Sequence, residues 1–67
     1  MDVRERVGNN VRRLREKQGI SQEELADRAA LHRTYISGVE RGVRNPTVVV
    51  LEKVADALGV ELSALTK

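Results

Sequence analysis

Val3, Val7, Val11 and Leu14 recur at spacings of four, four and three, with arginines and glutamates filling the positions between them. This is the period of a helix with one face toward a core, and it predicts a first helix over residues 3–18. Gly19 stands where a left-handed residue closes a helix. Ser21-Gln22-Glu23-Glu24 then has the spacing of a capping box, in which the Ser21 hydroxyl accepts the amide three residues on and Glu24 reaches back to the cap amide. A second helix over 21–29 follows, with Leu25, Ala26 and Ala29 inward. A third fits 32–41, where Tyr35, Ile36 and Val39 keep helical spacing and Gly42 supplies a stop.

Asn45-Pro46-Thr47 signals another helix start, since Asn45 or Thr47 can cap and proline is tolerated in a first turn. The run Val48-Val49-Val50-Leu51 invites a strand. Leu51, Val54, Ala55 and Leu58 nevertheless continue the helical spacing, without the alternation a strand needs, so residues 47–58 read as a fourth helix. Gly59 breaks it, and Val60, Leu62 and Leu65 belong to a short last helix over 61–66. The expected fold is all-α, a five-helix bundle in a single domain of residues 1–67 with no space for a linker or repeat.

Composition sharpens this picture in three ways. A chain of 67 residues buries only about 60% of the surface its unfolded form exposes, so the monomer should be marginal and pairing would help. There is no cysteine, and the lone histidine, His32, cannot build a metal cage, so neither metal nor cofactor is expected. The longest apolar run, four residues, falls far short of the roughly 20 that a membrane span requires. With a charged N-terminus in place of a signal peptide, the expectation is a soluble cytoplasmic protein without a membrane partner.

Net charge is only +2, from 12 basic and 10 acidic side chains. The excess lies N-terminally: residues 1–47 hold ten basic and seven acidic side chains, residues 48–67 two and three. Charge of this size does not decide a function.

The supersecondary pattern is more informative. Two short helices joined by a tight turn, the second with a polar outer face, form the unit that places a recognition helix in the major groove. The string Ser21-Gln22-Glu23-Glu24-Leu25-Ala26, Tyr35-Ile36-Ser37, Val39-Glu40-Arg41-Gly42, Arg44-Asn45-Pro46-Thr47 and Leu58-Gly59-Val60 closely resembles the phage repressor and Cro family of Xre-type helix-turn-helix regulators. The resemblance covers residues 7–65 and implies a lambda-repressor-like DNA-binding domain. Leu31 through Ser37, with Val39-Glu40-Arg41-Gly42 and Arg44-Asn45, is most similar to the controller proteins of restriction–modification systems, and also to the DNA-binding halves of larger regulators.

Arg33 and Thr34 open the expected recognition helix on its polar face. The fork of Arg33 matches the O6 and N7 acceptors of guanine, and Thr34 suits a thymine methyl or a phosphate. His32 caps or flanks the helix start, and base reading is expected to concentrate on His32, Arg33 and Thr34. The resemblance implies phosphate contacts from Gln22, Tyr35, Ser37, Arg41, Arg44 and Asn45. It also implies a partly buried ion pair between Arg15 and Glu40, which orients the recognition helix and holds Arg15 near a phosphate. Two residues depart from the family's pattern. Gly38 offers no side chain where a base contact is often made, and Ala30 stands in a turn that usually takes glycine.

Tyr35 is the only aromatic residue, so duplex DNA is favoured over stacked single strands. An enzyme is not expected, since Ser21, Ser37 and Ser63 have only His32 as a possible base and no small-molecule pocket is implied. The alternative is an antitoxin-type interaction module. Because one recognition helix reads few base pairs, a homodimer on an inverted repeat is expected, with Pro46, Glu61, Leu62, Ser63 and Leu65 at its interface.

Overall fold

The computed structural model describes residues 2–67, and its helices run α1 (Val3–Lys17), α2 (Gln22–Ala29), α3 (Arg33–Glu40), α4 (Val48–Leu58) and α5 (Ser63–Thr66). Three of them start where a side chain accepts one of the amides that a first turn leaves unpaired. Asp2 Oδ1 accepts from the Arg4 amide at 2.7 Å, Ser21 Oγ from Glu24 at 3.0 Å, and Thr47 Oγ1 from Val50 at 3.2 Å. The Arg4 side chain and amide hold the Asp2 carboxyl below its ordinary range. Thr47 rather than Asn45 is therefore the α4 cap, and Pro46 lies ahead of it, outside the helix.

The capping box is only half formed. Glu24 turns outward to accept from Arg28 Nε at 2.9 Å, an exposed i,i+4 ion pair, and does not return to the Ser21 amide.

The first four helices end alike, by a pair of bonds that reuses the last free carbonyls around a left-handed residue. In α1, Ile20 N donates to Arg15 O and Gly19 N to Glu16 O; in α4, Val60 N donates to Ala55 O and Gly59 N to Asp56 O. In α3, Val43 N donates to Gly38 O and Gly42 N to Val39 O. The same closure ends α2 at Ala30, which takes φ 56°, the sole positive φ outside glycine among the described residues. Ala30 thus accepts the left-handed turn in spite of its Cβ. The last helix is shorter than its predicted 61–66, starting at Ser63 after Glu61 and Leu62 form its lead-in turn.

Val7 and Val11 of α1 meet Leu25 and Ala26 of α2, Ile36 and Val39 of α3, Leu51, Val54, Ala55 and Leu58 of α4, and Leu65 of α5 in one core. Leu14 stays at its rim, partly buried. Polar side chains of α1 and its C-cap fasten the periphery: Asn10 Nδ2 donates to Leu65 O at 2.9 Å and Gln18 Nε2 to Leu58 O at 2.6 Å.

Gly8 sets the crossing of α1 over α3. A Cβ there would collide with the carbonyl oxygen of Val39 and come within 2.7 Å of that of Glu40. Backbone therefore lies almost on backbone at the C-terminal turn of α3, which fixes where that helix points.

Candidate nucleic-acid interface

Ile36, Val39 and Glu40 of α3 are buried, whereas Arg33, Thr34 and Arg41 are exposed and Ser37 is half-buried. The polar face expected from the sequence thus looks away from the core. His32, also exposed, takes the cap position in extended conformation, but its side chain makes no capping bond. No acidic residue sits in the first turn of α3, so the positive end of the helix dipole stands beside Arg33 without an internal anion.

The ion pairs of Arg4, Arg12, Arg15 and Arg28 all lie elsewhere. Arg33, Arg41 and Arg44, on α3 and the loop after it, have no acidic partner among the described residues. Their charge is not neutralised within the chain. Tyr35 is half-buried with the Arg44 guanidinium 5.8 Å above its ring, and Asn45 is exposed in the α3–α4 loop.

Behind this surface, one carboxylate ties three helices together. Arg15 Nε and Nη2 grip Glu40 at 2.6 and 3.0 Å, and Arg15 Nη1 donates to Ile20 O at 2.9 Å. Gln22 Nε2 adds a third bond to Glu40 at 3.0 Å. The side chains of Arg15 and Glu40 are 12% and 3% exposed, and the bond to Glu40 pushes the Arg15 pKa up. Burial of this kind is tolerable because the charges are paired and their hydrogen-bonding groups engaged.

Two expectations change as a result. All three guanidinium nitrogens of Arg15 point at protein acceptors, so within the expected partly buried pair Arg15 is an internal strut whose donors are already engaged beside the phosphate site expected there. Gln22, expected as a phosphate contact, has in addition an unforeseen partner in Glu40. Its spacing from Glu40 in sequence carries no signal of the contact.

The residues expected at a partner surface do not all gather. Glu61, Leu62 and Ser63 line an open groove of about 500 Å³ with Glu52, Ala55, Asp56 and Val60. Pro46 precedes α4 at its other end, separated from them by a helix of 11 residues, about 16 Å long. Leu65 is fully buried and closes the core, because α1 covers the short α5 on that side. Val48 and Val49, by contrast, are 61% and 65% exposed. The run Val48-Val49-Val50-Leu51 carries this signal, since four successive apolar residues cannot all face inward on one helix.

No group of three metal-ligating side chains occurs among the described residues, and no helix there is long and apolar enough to cross a membrane.

A helix-turn-helix family model matches residues 11–65. An uncharacterised HTH-type transcriptional regulator, y4dJ of Sinorhizobium fredii, is 50% identical over 60 residues, covering 90% of this chain and 78% of its own length. Control protein C.MunI of a Mycoplasma species is 46% identical over 65 residues, covering 96% and 88% respectively. Among solved structures, the restriction–modification controller protein C.AhdI of Aeromonas hydrophila superposes with a TM-score of 0.90 at 44% identity, covering 92% of this chain and 94% of that one. With α2 and α3 in the geometry described and these relatives beside it, the chain belongs to the Xre-type helix-turn-helix family of DNA-binding transcriptional regulators.

Proposed function

We propose that the protein is a cytoplasmic regulator that binds duplex DNA as a homodimer on an inverted repeat, with α3 of each copy in the major groove. The observation that carries this is the exposed face of α3, where Arg33 and Thr34 on the first turn stand with Arg41 and Arg44, all three arginines lacking an acidic partner. Arg33, Thr34 and His32 reach base edges, with Arg33 on guanine. Gln22, Tyr35, Ser37, Arg41 and Asn45 fix the register on phosphates, and Arg44 adds its charge to the same face. Likeness to C.MunI and C.AhdI supports control of a restriction–modification system as the biological setting.

Pairing gives two recognition helices the separation of one DNA turn, about 34 Å. In a two-fold contact the same surface serves both copies, and it runs from Glu61, Leu62 and Ser63 along α4 to Pro46 and the exposed Val48 and Val49 at the helix's other end. Whether bound protein activates or represses depends on where the operator lies relative to the promoter.

Selection from random duplexes tests this reading. It should return inverted repeats whose affinity falls steeply with salt as counterions are released. Arg33→Ala should lose about 1–3 kcal/mol of discrimination at one base pair per half-site. Recovery of no preferred sequence, or of unpaired half-sites bound by a monomer, would sink it.

A further inference from the structure

Gly38 stands four residues after Thr34 and three after Tyr35, so all three share one strip of α3, toward its exposed side. In most helices a side chain at such a position projects outward. Here the position is glycine and yet buried, because another segment covers it. The covering group is Arg44: a Cβ built on Gly38 would lie 2.5 Å from Arg44 Cγ and 3.4 Å from its Nε. The guanidinium continues to the ring of Tyr35, 5.8 Å from its centroid. Both ends of the side chain are thus seated on α3, although Arg44 belongs to the following loop.

The loop backbone is pinned to the same place. Val43 N and Arg44 N donate to Gly38 O at 3.0 and 3.3 Å. Arg44 therefore starts from the carbonyl of residue 38, runs across the space left by its missing side chain, and ends over Tyr35. No carboxylate competes for it among the described residues.

We infer that Arg44 is a specificity-determining residue, a second base reader lent to the recognition helix by the loop, and that Gly38 and Tyr35 are positioning residues that form its seat. The role presupposes the DNA binding proposed above. A guanidinium held on the groove-facing strip presents the same fork to a guanine edge that Arg33 presents one turn earlier. Stacking on Tyr35 limits its rotamers, so less freedom is lost on binding than for a free surface arginine. Glycine at 38 is then not a position given up, but the opening through which a longer side chain enters.

The test uses the selected operator together with every single-base-pair replacement in one half-site, with wild type, Arg44→Ala, Arg44→Lys, Gly38→Ala and the double variant Gly38→Ala/Arg44→Ala. For wild type, one replacement outside the base pair read by Arg33 should weaken binding about tenfold, within the range of a bidentate arginine–guanine contact. That penalty should vanish in Arg44→Ala and shrink in Arg44→Lys, which can donate to guanine but lacks the planar fork and its stacking on Tyr35, while the lysine variant keeps the wild-type salt dependence because it keeps the charge. Gly38→Ala should lose the same penalty by displacing Arg44, and the double variant should be no worse than Arg44→Ala alone. Thermal melts show whether Gly38→Ala is folded, and the two Arg44 variants decide the matter if it is not. A uniform loss on every duplex would make Arg44 a phosphate contact only and overturn this inference, leaving the DNA-binding reading intact. Failure of wild type to prefer any duplex would overturn both.

Discussion

Gly8 and Gly38 both occupy helices, and a side chain at either would collide with its surroundings, but the two make room for different things on α3. At Gly8 the obstacle is the backbone of α3 itself, the carbonyls of Val39 and Glu40 on the inner face. At Gly38, toward the outer face, the obstacle is the side chain of Arg44. Backbone cannot step aside without moving the helix, whereas an arginine can swing away by rotation about its own bonds. The inner face therefore determines where the recognition helix lies, and the outer face what it presents. Changes to the inner face should register in stability and in binding to all sequences; changes to the outer face should register in sequence preference.

The sharpest way to break the inner face is Glu40→Gln. The carboxylate holds Arg15 and Gln22 at once, and the change leaves the Arg15 cation in a nearly dry site without its counter-charge. Disrupting a fully buried pair costs about 3–5 kcal/mol, and the residual exposure of Arg15 places this case near 3 kcal/mol. Urea melts should record that loss, and the variant, where still folded, should bind all duplexes less well because α3 is no longer fixed. Unchanged stability and affinity would show that the pair does not orient α3.

Gly8→Ala comes next. Alanine is the better helix former by about 0.5–1 kcal/mol, so propensity alone predicts stabilisation. Overpacking against the α3 carbonyls should outweigh it, giving a net loss of about 1–2 kcal/mol in the same melt. A stabilised variant would show that α1 can retreat from α3 at no cost, and the contrast between the two glycines would disappear.

Much of this architecture was legible because it is local. Helix spacing, the Ser21 and Thr47 caps and the glycine stops all depend on residues within one turn of each other, and each helix lies close to its predicted span. The Arg15–Glu40 pair was reached through family resemblance and not through spacing. What escaped depends on which distant surfaces meet. Gly8 lies inside the predicted first helix with nothing in its local sequence to mark it, since its significance lies 31 positions away at Val39. Leu62 and Leu65 carry the same apolar signal, and only the placement of α1 over α5 decides that Leu65 is sealed while Leu62 stays half-exposed. Glu24 had two partners within reach, the cap amide and Arg28, and the capping pattern names only the first. Arg44 lies outside α3 in sequence, so a scan of that helix for reading groups passes over it.

Ala30 joins the two faces, because its left-handed turn sets the angle at which α3 leaves α2. At φ 56° and ψ 42° its Cβ crowds the neighbouring carbonyl, a strain of about 1 kcal/mol that glycine would not bear. Glycine also has more freedom in the unfolded chain, which costs about 0.4–1 kcal/mol on folding. The two effects oppose each other, so Ala30→Gly should be neutral or stabilising by less than about 1 kcal/mol, a smaller change than at Glu40 or Gly8. The hydrogen bonds from Leu31 to Ala26 and from Ala30 to Asp27 use backbone alone and should persist. Gly59→Ala provides the calibration: it shares the closure, has φ 70°, and a Cβ there meets nothing within 4 Å, so its destabilisation reports the left-handed strain without a packing contribution. If Ala30→Gly were clearly destabilising in a urea melt while Gly59→Ala showed the expected strain, the methyl of Ala30 would have to stabilise the folded turn by more than its conformation costs, and relief of strain would not govern this corner.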